Sequence, residues 1–193
     1  NLALYRLLDR VREAHPGLEI ESCSSGGARP DAGILRYTHR VWTSDCNDAL
    51  ARIGIQSGFL RFLPPEIMGV HIGPAHAHTT GRTHSLAFRA SVALFGHLGL
   101  ELDVRELDAA QRNELARWIA FYKEWRDVCH HGLIRQGGQG GLSWLQATAS
   151  DASAALFGLY RRVEGVERYS PVVRVPGLDP RQLPGRELEK ERR

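Results

Sequence analysis

Short apolar runs alternate with helical patterns along residues 1–128, and this alternation constrains the fold more than any other feature of the sequence. Helices are predicted by apolar residues at i, i+3, i+4 and i+7, and strands by short apolar runs between turn residues. The predicted helices cover residues 2–14, 31–37, 47–56, 83–95 and 108–128, and the predicted strands cover residues 18–22, 40–43, 59–63 and 99–103. Such alternation favours a parallel β/α barrel over an antiparallel fold. About four of the eight units that a TIM barrel requires are present, so the predicted class is α/β with part of a (β/α)8 barrel.

The character of the sequence changes after Cys129. A glycine-rich segment at residues 137–141 predicts a loop. Strands separated by turn residues are predicted at residues 142–147, 154–160 and 172–175. They indicate the start of a small antiparallel β domain that ends in a charged segment, residues 186–193. Because a helical pattern is already running at residue 2 and no Met precedes it, we expect a piece of a longer protein.

The composition is that of an ordinary globular protein, with 42% hydrophobic and 24% charged residues. The net charge of +3 comes from arginines scattered along the chain, which argues against a nucleic-acid-binding surface. No apolar run approaches the roughly 18 residues of a membrane span, so no membrane partner is expected. The three cysteines show no paired spacing, which argues against a disulfide framework and favours a cytoplasmic setting.

Asp45 follows Trp-Thr-Ser at the C-terminal end of the strand predicted at residues 40–43. Side chains at that edge of a parallel barrel form its active sites. A second interpretation makes Asp45 a helix N-cap, because a carboxylate there can accept the backbone N–H bonds that open the next helix. Asp48 lies three positions on, so the first helical turn has two carboxylates where one would suffice. The pattern alone leaves both interpretations open.

Five short motifs occur in order along the chain. They are Cys23-Ser24-Ser25-Gly26-Gly27-Ala28-Arg29, Trp42-Thr43-Ser44-Asp45, Asp48-Ala49, Pro64 with Met68-Gly69 and His71, and Gly99-Leu100-Glu101-Leu102-Asp103. Their order and spacing resemble the second half of the catalytic barrel of α-galactosidases of glycoside hydrolase family 36. The resemblance implies that residues 1–130 are the C-terminal half of the catalytic (β/α)8 barrel. It also implies that residues 131–193 begin a C-terminal antiparallel β-sandwich domain.

The same resemblance implies that Asp45 is the general acid/base of a retaining mechanism. Its carboxylic acid would protonate the glycosidic oxygen, and its carboxylate would then deprotonate the water that opens the glycosyl-enzyme. The family's nucleophile is an Asp in a Lys-x-Asp motif on an earlier strand, and nothing in this sequence matches it. We therefore expect this chain by itself to be inactive. No cofactor is implied, because two carboxylates supply the catalysis.

The glycine-rich turn of the family lines the galactose subsite, which by position implies substrate-binding roles for Cys23, Ser25 and Gly26. Ser25 stands where the family usually has Gly. Trp42 is a further candidate for substrate binding, through stacking on the sugar, although tryptophan more often packs in a core. Cys23 has the alternative interpretation of a small buried hydrophobic residue.

Four histidines, His71, His76, His78 and His84, raise the possibility of a metal site, because imidazole is a zinc ligand. No second ligand group accompanies them at a fixed helical spacing, so no metal site is predicted. We expect His71 instead to follow a strand that ends near Pro64 and to reach the rim of the pocket.

The implied function is that of an α-galactosidase that hydrolyses terminal α-linked galactose in oligosaccharides such as raffinose and melibiose. Two alternatives stay open. One is a related α-glycosidase or a raffinose-synthase-like transglycosidase, and the other is a non-catalytic remnant that binds sugar. The expected partner is an α-galactoside oligosaccharide, and we expect the full-length enzyme to form a homo-oligomer.

Overall fold

A computed structural model of the chain describes residues 2–28, 30–163 and 175–177. The first sheet contains the strands β1 (Glu21–Ser22), β2 (Arg40–Trp42), β3 (Met68–Ile72) and β4 (His97–Leu100). They are parallel and lie in sequential order, so sheet neighbours are also neighbours along the chain. The helices are α1 (Leu2–Ala14), α2 (Ala32–Leu35), α3 (Ala49–Phe59), α4 (Leu86–Val92) and α5 (Ala109–His131). Parallel neighbours need crossover connections, which α2, α3 and α4 supply.

Polar side chains open four of the five helices. Asp31, Asp48, Ser85 and Asp108 are the N-caps of α2, α3, α4 and α5, and each accepts a backbone N–H from the first turn. At α5, Gln111 returns a hydrogen bond to the Asp108 backbone and completes a capping box. These local signals explain why the four capped helices are present, with small shifts at their ends, and α1 covers the predicted residues 2–14.

The strand predicted at residues 59–63 is wrong. Phe59 is the last residue of α3, a turn follows it, and the third strand is Met68–Ile72. Periodicity does not distinguish a short apolar strand from the apolar end of a helix. Burial separates them, because Phe62 is 88% exposed whereas alternate residues of β3 are fully buried. As a consequence, His71 lies within a strand and does not follow one, contrary to the prediction.

The second sheet is antiparallel and contains β5 (Leu133–Gln139), β6 (Leu142–Thr148) and β7 (Ala155–Arg161). The predicted strands at 142–147 and 154–160 are confirmed. The predicted strand at 172–175 and the charged segment 186–193 cannot be compared, because residues 172–174 and 186–193 lie outside the described ones.

The loop predicted at residues 137–141 is mostly strand. A Cβ on Gly137 would lie 2.6 Å from the Trp144 ring, so glycine permits the close approach of β5 and β6 there. The turn itself is confined to Gly140 and Gly141, which both have positive φ. The glycines therefore have two different structural roles, and one of them requires a partner strand that the local sequence does not reveal.

Three clusters of buried side chains join the sheets to the helices. In the first, β3 packs against α4 and α5 through residues such as Ile72, Ala90 and Leu115. The second joins α5 to β6, and includes Cys129 and Ala147, which are fully buried. The third joins α3 and α4 to β7. The loops that follow β1 and β2 belong to none of these clusters. None of the helices among the described residues combines the length and apolar character that a membrane crossing demands.

Candidate active site

Two loops meet at the carboxyl ends of β1 and β2, which are adjacent parallel strands. One is the glycine-rich turn after β1, and the other is the Thr-Ser-Asp segment after β2. A Cβ on Gly26 would lie 2.7 Å from Ser44 Cα and 2.8 Å from the backbone N of Asp45, and the φ of Gly26 is 64°. Both the space and the backbone conformation therefore require glycine. The approach brings Cys23 Sγ to 3.9 Å from Asp45 Oδ1.

The carboxylate of Asp45 is exposed and does not cap a helix. The N-cap of α3 is Asp48, whose Oδ1 accepts from the backbone N–H of Leu50 at 2.8 Å and of Ala51 at 3.4 Å. The capping interpretation therefore applies to Asp48 and not to Asp45. Within the described residues, the hydrogen bonding of the Asp45 carboxylate is limited to the long contact with Cys23. An exposed carboxylate at a strand end can exchange a proton with a bound molecule.

Asp48 is fully buried and joins the start of α3 to the loop after β3. It accepts from Thr80 Oγ1 at 2.6 Å and from Arg82 Nη1 at 2.5 Å, and it lies 3.0 Å from His84 Nε2. Burial by itself raises the pKa of Asp48, but these hydrogen bonds and that from the Leu50 N–H outweigh it and hold the pKa well below its usual value. Asp48 is therefore a structural anion and not a proton donor.

Arg52 lies on the buried face of α3 and is 1% exposed. Its Nη1 donates to the carbonyl oxygens of Ser44 at 3.0 Å and Cys46 at 3.3 Å. Its Nη2 donates to the Thr43 hydroxyl at 2.7 Å and to the Gly69 carbonyl at 3.3 Å. Burial lowers the pKa of Arg52 to about 10, so the guanidinium remains cationic at neutral pH. The positive charge of Arg52 is thus stabilised by oxygens of Thr43, Ser44 and Cys46, which belong to the segment that contains Asp45.

The sequence predictions did not include Arg52, and they considered His84 only as a possible metal ligand. A signal for Arg52 exists, because it shares the i, i+3, i+4, i+7 spacing of the buried face of α3 with Ala49, Ile53 and Gln56. A charged side chain on such a face needs hydrogen-bond partners in the core. His84 has no comparable local signal, because its partner Asp48 is 36 residues away.

Trp42 is 6% exposed and packs on other protein groups. Its ring stacks on the His71 ring with a centroid separation of 4.0 Å, and the Arg52 guanidinium carbon lies 4.2 Å from the indole centroid. His71 Nδ1 in turn lies 3.0 Å from Glu101 Oε2. This packing supports the core interpretation of Trp42, and little of its surface remains for contact with a ligand.

Two of the histidines after β3, His76 and His84, hold the loop after β3 through their side chains. His76 Nδ1 lies 3.3 Å from the Thr83 hydroxyl, and His84 contacts Asp48. Among residues 2–28, 30–163 and 175–177, no group of three or more His, Cys, Asp or Glu side chains is arranged to hold a metal ion.

The close approach at Gly26 leads to a prediction about stability. Gly26→Ala should lower the free energy of unfolding by about 3 kcal/mol, because strain at positive φ costs about 1–2 kcal/mol and overpacking adds about 1–3 kcal/mol. Gly81 is the matched control, since it also has positive φ but a Cβ there would meet nothing within 4 Å. Gly81→Ala should therefore lower the free energy of unfolding by the strain contribution alone. Denaturant unfolding measures both, and equal losses would contradict the steric argument.

A family pattern and a set of relatives match the chain. The pattern of the melibiase family matches residues 1–132. The α-galactosidase of Escherichia coli is 46% identical over 176 residues, which are 90% of this chain and 25% of that enzyme. The chain thus spans about a quarter of the length of the curated relatives it matches.

Solved structures share its α/β fold, with one parallel and one antiparallel sheet. An α-galactosidase from Lactobacillus brevis has a TM-score of 0.88 at 32% identity and covers 93% of this chain, which corresponds to 25% of the enzyme's own chain. Variants of the GH36 α-galactosidase AgaA from Geobacillus stearothermophilus, in complex with raffinose or stachyose, have TM-scores of 0.85 and 0.87 at 34% identity. Each is matched over 92% of this chain and 25% of its own. By its family match and its relatives, the chain belongs to the melibiase family, within glycoside hydrolase family 36.

Proposed function

We propose that this chain supplies the acid/base half of a retaining α-galactosidase that releases terminal α-linked galactose from oligosaccharides such as raffinose and melibiose. The observation that carries the proposal is the exposed Asp45 carboxylate, which stands at a strand end beside the glycine-rich turn and has no capping role. The α-galactosidase relatives, and the binding of raffinose and stachyose by AgaA variants, support the substrate class.

In this proposal the carboxyl group of Asp45 acts in two successive steps. As an acid it donates its proton to the leaving glycosidic oxygen, and as a carboxylate it takes a proton from the attacking water. The second carboxylate, the nucleophile, has to come from a part of the enzyme outside this chain. We therefore propose that the chain by itself has no turnover, and that the reaction uses no cofactor.

The other candidate residues have different parts in this proposal. Cys23 and Ser25 line the sugar subsite, and Cys23 also contacts the acid/base carboxylate. Gly26 allows the turn to reach the Asp45 backbone. Trp42 contacts the sugar through the small part of its surface that is exposed.

The architecture is proposed to be that of the relatives. Residues 1–130 form the second half of a (β/α)8 barrel, which is supported by four parallel strands in sequential order. Residues 131–193 begin an antiparallel β-sandwich, supported by the three-stranded sheet. We also propose a cytoplasmic location, supported by three free thiols, and a homo-oligomeric full-length enzyme.

The test uses a full-length protein that contains this chain. We expect it to release galactose from raffinose and melibiose, with α-galactose as the first-formed anomer in proton NMR spectra. First formation of β-galactose would overturn the retaining mechanism. Galactosyl transfer to an added acceptor without free galactose would favour the transglycosidase, and sugar binding in calorimetry without turnover would favour the remnant.

A further inference from the structure

We propose that Arg52 is a positioning residue for Asp45: its guanidinium holds the peptide groups on both sides of Asp45 and so sets the direction of the acid/base carboxyl. The inference rests on the proposed function, since it assigns Arg52 a role in the reaction through Asp45. Arg52 itself is buried and does not touch the substrate.

Asp45 depends on its backbone for its position. Its side chain is exposed, and within the described part of the chain its hydrogen bonding is limited to the Cys23 thiol at 3.9 Å. A contact of that length provides little restraint. The carboxyl group nevertheless has to meet the glycosidic oxygen within hydrogen-bond distance. Among the described residues, the peptide groups next to Asp45 are the ones that are firmly held.

Arg52 supplies that restraint with one nitrogen. Nη1 donates to the carbonyl of Ser44, which precedes Asp45, and to the carbonyl of Cys46, which follows it. Both carbonyls consequently face the protein interior, and the intervening side chain faces outward. Nη2 extends the attachment to Thr43 at the end of β2.

The segment is thereby linked to α3 and to β3. Arg52 belongs to the first turns of α3, and its Nη2 also donates to the carbonyl of Gly69 in β3. The face of its guanidinium lies over Trp42, the last residue of β2. A planar group with several fixed donors is needed for this set of contacts, and the single nitrogen of lysine could satisfy only part of it.

Among the described residues, no carboxylate lies within 4.0 Å of the Arg52 guanidinium. The cation is instead compensated by backbone carbonyls, a hydroxyl and an aromatic face. A buried cation without a carboxylate in contact is costly, and a methionine of similar length could fill the space without a charge. The need to orient the segment around Asp45 explains why position 52 holds a charged guanidinium group with several donors.

The test compares two substrates in the full-length enzyme. Raffinose needs protonation of its leaving group, whereas para-nitrophenyl α-galactoside has an acidic leaving group and needs much less. We expect Arg52→Met to lower kcat/KM about 100-fold on raffinose and less than about 10-fold on the nitrophenyl substrate, because a shift of about 1 Å can cost that much. Arg52→Lys, which keeps the charge and some of the contacts, should lie between Arg52→Met and the unsubstituted enzyme. Equal losses on both substrates with either variant would overturn the inference.

Arg89 provides the matched control. It is 5% exposed and donates to the backbone carbonyls of Gly73 and His84, which belong to the loop after β3. Arg89→Lys therefore tests the loss of a buried guanidinium fork without touching the peptide groups around Asp45. Its ratio of raffinose to nitrophenyl activity should match that of the unsubstituted enzyme. A shift in this ratio as large as that of Arg52→Lys would count against a specific role for Arg52.

A double substitution separates this inference from the proposed function. If Arg52 acts through Asp45, then Asp45→Ala with Arg52→Met should differ from Asp45→Ala alone by less than about 3-fold on raffinose. A further loss of about 100-fold in the double variant would overturn the positioning role and leave Asp45 as the acid/base. If the loss of kcat/KM in Asp45→Ala did not depend on the leaving group, both the positioning role of Arg52 and the acid/base role of Asp45 would be overturned.

Discussion

Asp45→Ala in the full-length enzyme should lower kcat/KM on raffinose by about 10²–10⁴-fold, the range that general acid and base catalysis contributes. The loss should depend on the leaving group. Cleavage of a nitrophenyl galactoside should decline much less, because nitrophenolate departs without full protonation. Hydrolysis of the glycosyl-enzyme also needs a base, so kcat should fall for both substrates.

Azide provides a direct test of where the missing carboxylate stood. With alanine at position 45, a small anion can enter the vacated space and attack the glycosyl-enzyme without a base. We expect azide to raise kcat on the nitrophenyl substrate and to yield α-galactosyl azide, whose configuration is retained. Formation of the β-azide would place the missing carboxylate on the opposite face and contradict an acid/base role.

Asp151→Ala is the control for removal of a carboxylate. Asp151 is exposed near the turn between β6 and β7 and accepts hydrogen bonds from Ser153. Its loss should leave kcat/KM on raffinose within about 2-fold, as is usual for surface substitutions. Unchanged raffinose hydrolysis by Asp45→Ala, judged against this control, would remove Asp45 from the mechanism.

The second large effect concerns stability. Asp48→Ala should lower the free energy of unfolding by about 3 kcal/mol, because it removes an N-cap worth about 1 kcal/mol and breaks a buried charge network. Thr80, Arg82 and His84 would lose their common acceptor. Arg82 is half exposed and can turn to water, which keeps the loss at the lower end of the range for broken buried pairs.

Asp108→Ala separates the cap from the network. Asp108 also caps a helix, through Gln111, but it is exposed and has no buried partners among the described residues. Asp108→Ala should lower the free energy of unfolding by only about 1 kcal/mol. Denaturant titration measures this loss and that of Asp48→Ala. Equal losses for the two aspartates would mean that the contacts with the loop after β3 contribute nothing.

The pH dependence of Asp48 has a defined sign. Because its pKa is depressed in the folded protein, its ionisation stabilises the fold fully above the carboxyl pKa of the unfolded chain, which is about 4. The contribution of Asp48 ionisation to the stability difference between the unsubstituted protein and Asp48→Asn should therefore be complete at about pH 5. It should shrink as the pH falls below about 4. A difference that grows with acidification would contradict the depressed pKa.

Local signals account for the helices and for most of the strands. The caps Asp31 and Asp108 and the apolar spacing of α1 are short-range features, and the helices appear where these features stand. The strand end before Asp45 was predictable for the same reason. In contrast, the strand predicted at residues 59–63 falls on the end of α3 and the turn after it, because periodicity does not distinguish a short apolar strand from the apolar end of a helix.

The candidate site likewise has some features that the local sequence predicts and others that depend on contacts between distant residues. Sequence patterns are sufficient to place Asp45 at a strand end, to predict a glycine-rich turn after the preceding strand, and to relate the motifs to those of family 36. The aspartate that caps α3, and the hold of Arg52 on the peptides around Asp45, become visible in the folded chain. Asp48 and His84 are 36 residues apart, and contacts at that separation form when distant elements pack together.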